Sequence, residues 1–349
     1  MTWGTKTAIV ALALHSADFA GRPGKAMLSV YVQRGMILER QAVDPQGAIP
    51  EDAVWFDLVS PTITEDKAVE RQLGIAVPTR EEMQEIEVSS RLYVENSARY
   101  MTATLMCQSE TESPKTTAVT FILASHRLVT VRYDEPKPFQ IVDHKLARQC
   151  PDKMTGEMVL VDLLDAIVDR AADILERIGN EVDAVSRDIF EPESDRTSAY
   201  YKSILTSIGR RGDLTSKVRE SLLSIGRLLL FLANEAEGMR WGKDTRTLLK
   251  SMQRDVQSLS DHATYLANKI TFLLDAIVGV VTIEQNNIIK IFSVAAVALL
   301  PPTLIASIYG MNFKHMPELD WEYGYPVAVA LMIGGAVMPY LYFKWKRWL

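Results

Sequence analysis

Hydrophobic and polar residues are distributed very unevenly along this chain. Before residue 288, apolar positions are mixed with charged ones, in short runs up to about residue 150 and at helical spacing after it. In contrast, residues 291–308 and 326–343 contain no charged side chain. A membrane-crossing helix needs about 20 predominantly apolar residues. The pattern therefore predicts a water-soluble region that is followed by two membrane-crossing helices.

The first region contains several runs rich in β-branched and aromatic residues. Examples are "MLSVYVQ" at 27–33 and "AVWFDLV" at 53–59, which predict strands. We predict a mixed α/β domain over residues 27–155 with mostly antiparallel strands, preceded by a tail at residues 1–26. No GxGxxG, P-loop or nucleophile elbow occurs in it. The domain is therefore expected to be a platform rather than an active site.

Two helices are predicted within this domain. The first lies within residues 60–74, with Thr64 as its N-cap and Gly74 at its end. Residues 79–87 form a second, acidic helix that Thr79 opens.

Residues 156–287 have the apolar spacing of long amphipathic helices. The first helix is broken at Pro192, and a second runs over about 198–237. A third begins near Asp244 and meets no proline before Pro301, so roughly 60 residues of helix would extend about 90 Å. This pattern leaves two alternatives open, a rod that links the domain to a membrane pore or an ordinary helical bundle that ends in an anchor.

The two apolar segments predict a transmembrane hairpin. Helices at 288–308 and 326–343 are joined by a loop at 309–325 that is net negative, and the chain ends in a basic tail at 344–349. Because basic residues favour the cytoplasmic side, both ends of the hairpin are expected there and the loop outside. The basic residues of the tail are Lys344, Lys346 and Arg347.

One face of the first membrane helix carries small and polar residues. In lipid, such a face should meet other protein or water, so it is either a packing surface or a pore wall. Two spans do not enclose a pore, and the second alternative therefore requires a homo-oligomer. This stripe comprises Asn286, Ile289, Ser293, Ala296, Leu300, Thr303 and Ser307.

Composition and charge narrow the possible functions. The net charge of −6 gives no basic field for nucleic acid, and two cysteines, Cys107 and Cys150, form neither a disulfide framework nor a zinc motif. Neither span contains Asp, Glu, Cys or His, which argues against a proton relay. Neutral oxygen ligands suit a cation that keeps its water, as Mg²⁺ does.

The segment "YGMNF" at 309–313, followed by "MPEL" at 316–319, resembles the CorA family of divalent-cation channels. Residues 283–313 and the C-terminal "PYLYFKWKRWL" are similar to the bacterial CorA magnesium transporters in particular. The similarity in element order covers roughly residues 27–349.

The resemblance implies a homopentameric funnel in which five first spans line the pore. Gly310, Met311 and Asn312 would form the outer selectivity filter, where Asn312 contacts the waters of hydrated Mg²⁺. The resemblance further implies a basic collar of Lys344, Lys346 and Arg347 around the inner mouth. The pore-lining and gate positions would be Asn286, Ile289, Ser293, Leu300 and Thr303.

The family also has a regulatory Mg²⁺ site between neighbouring subunits, and the matching positions here are Glu85 and Asp275. Glu85 stands where better-studied relatives carry Asp. In the external loop, Glu318 is expected to attract cations, whereas Lys314 has no role that the pattern explains.

Together, the sequence predicts a Mg²⁺ channel of the bacterial inner membrane, with cytosolic termini and no enzymatic activity. It would be driven by the membrane potential, closed by cytosolic Mg²⁺, and would need no organic cofactor. Co²⁺ and Ni²⁺ are additional candidate substrates. The alternatives are a zinc-transporting member of the same superfamily, a membrane-anchored sensor or scaffold, and a membrane-bound hydrolase, for which no nucleophile–base pair is found.

Overall fold

A computed structural model describes most of the chain, and the predicted tail at 1–26 lies outside the described residues. The chain divides into two compact units. The first comprises Met1–Ala184 and Gly209–Lys269, and the second comprises Val185–Ile208 and Ile270–Leu349. The described residues are 27–191, 198–239, 241–312, 316–317 and 321–346.

Within the described part of the first unit, seven strands form one sheet in the order β2-β1-β3-β7-β6-β5-β4. Neighbouring strands pair antiparallel except β3 and β7, which are parallel. The mostly antiparallel α/β domain is thus confirmed. The strands are β1 Met27–Arg34, β2 Ile37–Ala42, β3 Ala53–Val59, β4 Leu92–Glu95, β5 Ala98–Cys107, β6 Lys115–Ala124 and β7 Arg127–Arg132.

Short helices accompany the sheet, and its central strands β3, β5 and β7 are buried on both faces. On one face, Val69, Ile75 and Met83 join the core of the strands. On the other, the ring of Phe139 lies 6.3 Å from Trp55 and 6.2 Å from Phe121. These helices are α1 Ile63–Leu73, α2 Arg80–Met83, α3 Val88–Arg91 and α4 Lys137–Leu146.

A buried ion pair fixes the parallel strands β3 and β7 to each other. The Arg132 guanidinium donates two hydrogen bonds to the Asp57 carboxylate, at 3.0 and 2.8 Å, and the Thr130 hydroxyl donates a third at 2.7 Å. A buried charge is tolerated when it is paired and hydrogen-bonded in this way. The pair thus contributes to the register of β3 on β7.

The N-cap of α1 is Thr62, and the prediction of Thr64 was wrong. Thr62 lies three residues before Glu65, and the two form a reciprocal capping box. The buried Glu65 also accepts a hydrogen bond from the Leu28 N–H at 3.0 Å. The carboxylate therefore anchors the start of the helix to the first strand.

The acidic helix predicted over 79–87 is shorter, because α2 ends at Met83. Thr79 is its N-cap, as predicted. The carbonyl oxygen of Glu85, which a longer helix would use internally, instead accepts a hydrogen bond from Arg91 Nε. Helix α4 was not predicted, although Pro138 in its first turn is a favoured helix-start residue.

Asp66 on α1 is an acid in an unfavourable environment. Its Oδ1 is buried and has no hydrogen-bond partner among the described residues. Burial, together with the nearby carboxylates of Glu70 and Glu65, raises the pKa of Asp66 to about 6. Because the folded state binds this proton more tightly than the unfolded state, ionisation of Asp66 destabilises the fold as the pH rises from about 4 to 6.

We therefore expect Asp66→Asn to raise the free energy of unfolding at pH 8 by about 1–2 kcal/mol, allowing for partial exposure. At pH 4.5 the difference from wild type should be much smaller. Thermal unfolding of the purified protein at both pH values measures it. Asp52→Asn, which changes an exposed carboxylate, is the control. An equal effect of Asp66→Asn at both pH values would contradict the expectation.

Long helices make up the remainder of the described chain. The third of them is continuous for 67 residues and includes Pro301 and Pro302. Two helices, this one and the last, are long and apolar enough to cross a membrane. The predicted order of α/β domain, long helices and apolar C-terminal helix is confirmed. The helices are α5 Gly156–Phe190, α6 Ser198–Gly238, α7 Lys243–Tyr309 and α8 Gly324–Trp345.

Candidate functional site

The stripe predicted on the first membrane helix lies on α7 and is exposed in the single chain. Its five predicted pore-lining side chains are all solvent-accessible, with Ile289 61% and Leu300 65% exposed. The remaining members are Asn286, Ser293 and Thr303. The stripe is thus a continuous uncovered surface on one helix.

The opposite side of α7 faces α8. The contact is made by Pro301 and Pro302, which lie against Gly335 of α8. On the same face of α7, Val294 is buried, and Ala298 and Ile305 are half-buried at helical spacing. Leu300 on the stripe is turned by about 120° from Val294 around the helix axis. The α7–α8 pair therefore leaves the stripe available for contacts with something else.

The hydroxyl of Thr303 is oriented by its own helix. Thr303 Oγ1 donates a hydrogen bond to the Leu299 carbonyl oxygen at 2.7 Å. Because its proton is used in this bond, the hydroxyl oxygen has only acceptor lone pairs left to offer. This arrangement suits contact with the hydrogen atoms of a water molecule.

The predicted filter follows the end of α7. The Gly310 N–H donates to the Ala306 carbonyl at 2.9 Å and the Met311 N–H to the Ile308 carbonyl at 3.2 Å. Met311 and Asn312 are exposed. These two bonds close the helix, and Asn312 comes directly after it. Lys314 and Glu318 lie outside the described residues.

The two predicted regulatory acids lie in different compact units. Glu85 is exposed in the loop between α2 and α3, and Asp275 is exposed on α7. Within the described residues, no group of three or more His, Cys, Asp or Glu side chains is placed to hold a metal ion.

Two of the predicted collar residues lie at the end of α8. Lys344 and Lys346 are exposed, and Arg347 lies outside the described residues. The rings of Tyr342 and Trp345 are 6.4 Å apart beside them. Aromatic and basic side chains together are typical of a membrane–water interface.

The structure also points to residues that the sequence did not. Arg91 holds the loop that carries Glu85, since it donates to the Glu85 carbonyl and, at 3.1 Å, to Thr104 Oγ1. Gly335 lies against Pro301 and Pro302 where α8 meets α7. The Gly334–Gly335 pair in an apolar helix was an available signal of close helix packing.

Comparison with known proteins identifies the family. The family model described as "CorA-like Mg2+ transporter protein" matches residues 50–347. The chain is 35% identical over 323 residues to the magnesium transport protein CorA of Yersinia pseudotuberculosis, covering 93% of this chain and all of the relative. It is equally identical over 324 residues to that of Salmonella typhimurium, with the same coverage.

A solved structure supports this assignment at the level of the fold. The complete CorA magnesium transporter of Methanocaldococcus jannaschii superposes with a TM-score of 0.71 at 19% identity, covering 94% of this chain and all of that one. The family model and the two sequence relatives extend from the α/β domain to the C-terminal helix. The chain therefore belongs to the CorA-like Mg²⁺ transporter family.

Proposed function

We propose that this chain transports Mg²⁺ across the bacterial inner membrane as a homopentamer, with five copies of α7 around the pore. The observation that carries the proposal is the exposed stripe on α7, which faces away from α8. A surface of Asn, Ser and Thr side chains is unfavourable against lipid and favourable against water or another subunit. A ring of identical helices satisfies both requirements.

The chemistry of the stripe favours a hydrated cation. The two apolar segments, 291–308 and 326–343, contain no Asp, Glu, His or Cys. Mg²⁺ gives up its inner waters reluctantly, so neutral amide and hydroxyl oxygens are suitable partners for its water shell. We assign the outer filter to Gly310, Met311 and Asn312, where five side-chain amides would contact those waters. The narrow part would be formed by Ile289 and Leu300.

The orientation follows from charge. The basic residues Lys344, Lys346 and Arg347 favour a cytosolic end of α8, and Glu318 would attract cations on the other side. At a potential of about 100 mV, inside negative, entry of one divalent ion releases roughly 4–5 kcal/mol. This gradient is sufficient to drive uptake without ATP. Co²⁺ and Ni²⁺, which are also divalent and hydrated, are further candidate substrates.

A zinc-transporting role is the alternative in the same superfamily. Zinc sites are usually built from Cys and His side chains, and the MPEL sequence of the loop resembles the magnesium branch. Within the described residues, neither cysteine is near a metal-ligand cluster. We therefore favour Mg²⁺ as the physiological ion.

The proposal is tested with purified full-length protein in liposomes that carry an inside-negative potential. Mg²⁺ should enter, and competition with Co²⁺, Ni²⁺ and Zn²⁺ ranks the ions. Light scattering in mild detergent should give the mass of five chains. A stable monomer, or liposomes that admit no divalent ion, would overturn the pore and favour a membrane-anchored sensor.

Closure by cytosolic Mg²⁺ is part of the proposal. Glu85 of one subunit and Asp275 of its neighbour would repel each other until a dication lies between them, so Mg²⁺ would stabilise the closed ring. We expect the combination of Glu85→Ala and Asp275→Ala to require a higher Mg²⁺ concentration for protection of the long helices against proteolysis. Without both carboxylates, Mg²⁺ no longer binds more tightly to the closed ring than to the open ring, and so it no longer favours closure.

A control pair changes the same number of charges elsewhere. Glu81→Ala with Asp261→Ala alters exposed acids of the same two segments and should digest like the wild type. If the Glu85 and Asp275 variant gives the same digestion curve as this control, the two residues do not form the regulatory site.

A further inference from the structure

The contact between α7 and α8 includes a close approach at one glycine. A Cβ atom at position 335 would lie 3.1 Å from Pro301 Cβ and 3.9 Å from Pro302 Cδ. The first distance is shorter than an ordinary carbon–carbon contact of about 3.5–4.0 Å. At the adjacent Gly334, a Cβ would meet nothing within 4 Å. Close approach is therefore specific to Gly335.

Both helices lack backbone hydrogen bonds at this same place. Pro301 and Pro302 have no N–H to offer to the carbonyls of Val297 and Ala298, one turn earlier. On α8, Pro339 likewise offers none to the carbonyl of Gly335. The helices thus meet where each is least restrained by its own backbone, and their mutual packing has to define their positions.

The contact adjoins the predicted gate directly. Leu300 and Thr303 of the stripe flank the two prolines in sequence. The stripe lies on the side of α7 away from α8, so a force that pushes α7 off α8 moves Leu300 and Thr303 in the direction of the stripe. In a ring of five α7 helices, that direction is toward the pore axis.

We infer that Gly335 is a positioning residue for ion permeation: it seats Pro301 and Pro302 and thereby sets the width of the pore at Leu300 and Thr303. The inference rests on the proposed function, in which α7 lines the pore. Gly335 itself lies on α8 and does not touch the ion.

The test compares Gly335→Ala and Gly335→Val with the same substitutions at Gly334. Replacing either glycine raises the helix propensity by the same amount, but only a Cβ at position 335 lies too close to Pro301. In liposomes, Mg²⁺ influx should fall in the order glycine, alanine, valine at position 335, by about tenfold for valine if overpacking costs about 1.4 kcal/mol in the conducting state. The Gly334 variants should conduct like the wild type.

Removal of the opposing atom should relieve the effect. Pro301→Gly deletes the Cβ that lies 3.1 Å away, so Gly335→Ala should reduce influx much less in a Pro301→Gly background than in the wild-type background. A residue with a general folding role would not show this selective rescue. Equal effects in the two backgrounds, or equal effects at positions 334 and 335, would overturn the inference.

The oligomer mass and the unfolding temperature of each variant are also measured in detergent, so that a variant that fails to assemble still tests the contact. If the Gly335 variants fail to assemble, recovery of the oligomer in the Pro301→Gly background supports the contact, and failure to recover overturns it. If the wild type itself admits no Mg²⁺, the proposed function fails, and the permeation role of Gly335 falls with it. In that case, the unfolding temperatures of Gly335→Ala in the wild-type and Pro301→Gly backgrounds still show whether residue 335 packs tightly against Pro301.

Discussion

Asn312→Ala should abolish Mg²⁺ influx into liposomes while the protein remains assembled. Asn312 is exposed three residues after the end of α7 at Tyr309, and in a pentamer five such amides would surround the ion. Their carbonyl oxygens and N–H groups can hydrogen-bond the waters of a hydrated cation, whereas alanine offers nothing. The variant therefore loses five water-mediated contacts to the hydrated ion at the outer entrance of the pore.

The measurement is influx at a fixed potential, with oligomer mass as the folding control. Asn287→Ala is the matched variant, because Asn287 is an exposed asparagine of α7 itself and is not one of the predicted pore-lining positions. It should retain influx close to the wild-type rate. Normal conduction by Asn312→Ala would show that the filter has been assigned to the wrong residue.

Gly156→Ala should destabilise the α/β domain severely. Gly156 begins α5, and its N–H donates to the His126 carbonyl at 2.6 Å. A Cβ there would lie 2.4 Å from both Arg127 C and Leu128 N. These are backbone atoms of β7, so no side-chain rotation relieves the overlap. The helix or the strand would have to move, and the Gly156 hydrogen bond would be strained with it.

We expect a loss of at least about 3 kcal/mol in the free energy of unfolding, which corresponds to a fall in the unfolding temperature of about 6 °C or more. Circular dichroism of the purified protein measures it. Gly179→Ala is the control within α5, because a Cβ there would lie 3.8 Å from Leu266 Cδ2, an ordinary contact. That variant should be as stable as wild type or up to about 1 kcal/mol more stable. Equal unfolding temperatures for the two variants would contradict the steric argument.

The elements with strong periodicity could be predicted from sequence, and those fixed by a single tertiary contact could not. The β-branched and aromatic content of "AVWFDLV" predicted β3 at its observed bounds, and apolar spacing predicted α5 up to Pro192. The end of α2 depends on Arg91, which is six residues from the carbonyl that it binds. The cap of α1 was misassigned because Thr62 and Thr64 are both suitable N-cap residues, and only the capping-box partner Glu65 distinguishes them.

The candidate site shows the same division. The stripe on α7 could be found from spacing alone, and so could the absence of ionisable groups in the two apolar segments. The side of α7 that α8 occupies could not, since it depends on the contact of Gly335 with Pro301. Glu85 and Asp275 were selected through the resemblance, and as single exposed acids they carry no distinctive local pattern of their own.

The order of the strands along the chain has a consequence for synthesis. The last strand of the sheet, β7, ends at Arg132, 156 residues before Ile288. At about 5–20 residues per second, the ribosome takes roughly 8–30 s to cover that distance. The parallel β3–β7 pair joins residues 73 positions apart, and such long-range pairing is slow but still completes within milliseconds to seconds. The α/β domain therefore has time to fold before the first apolar segment of the chain reaches the membrane.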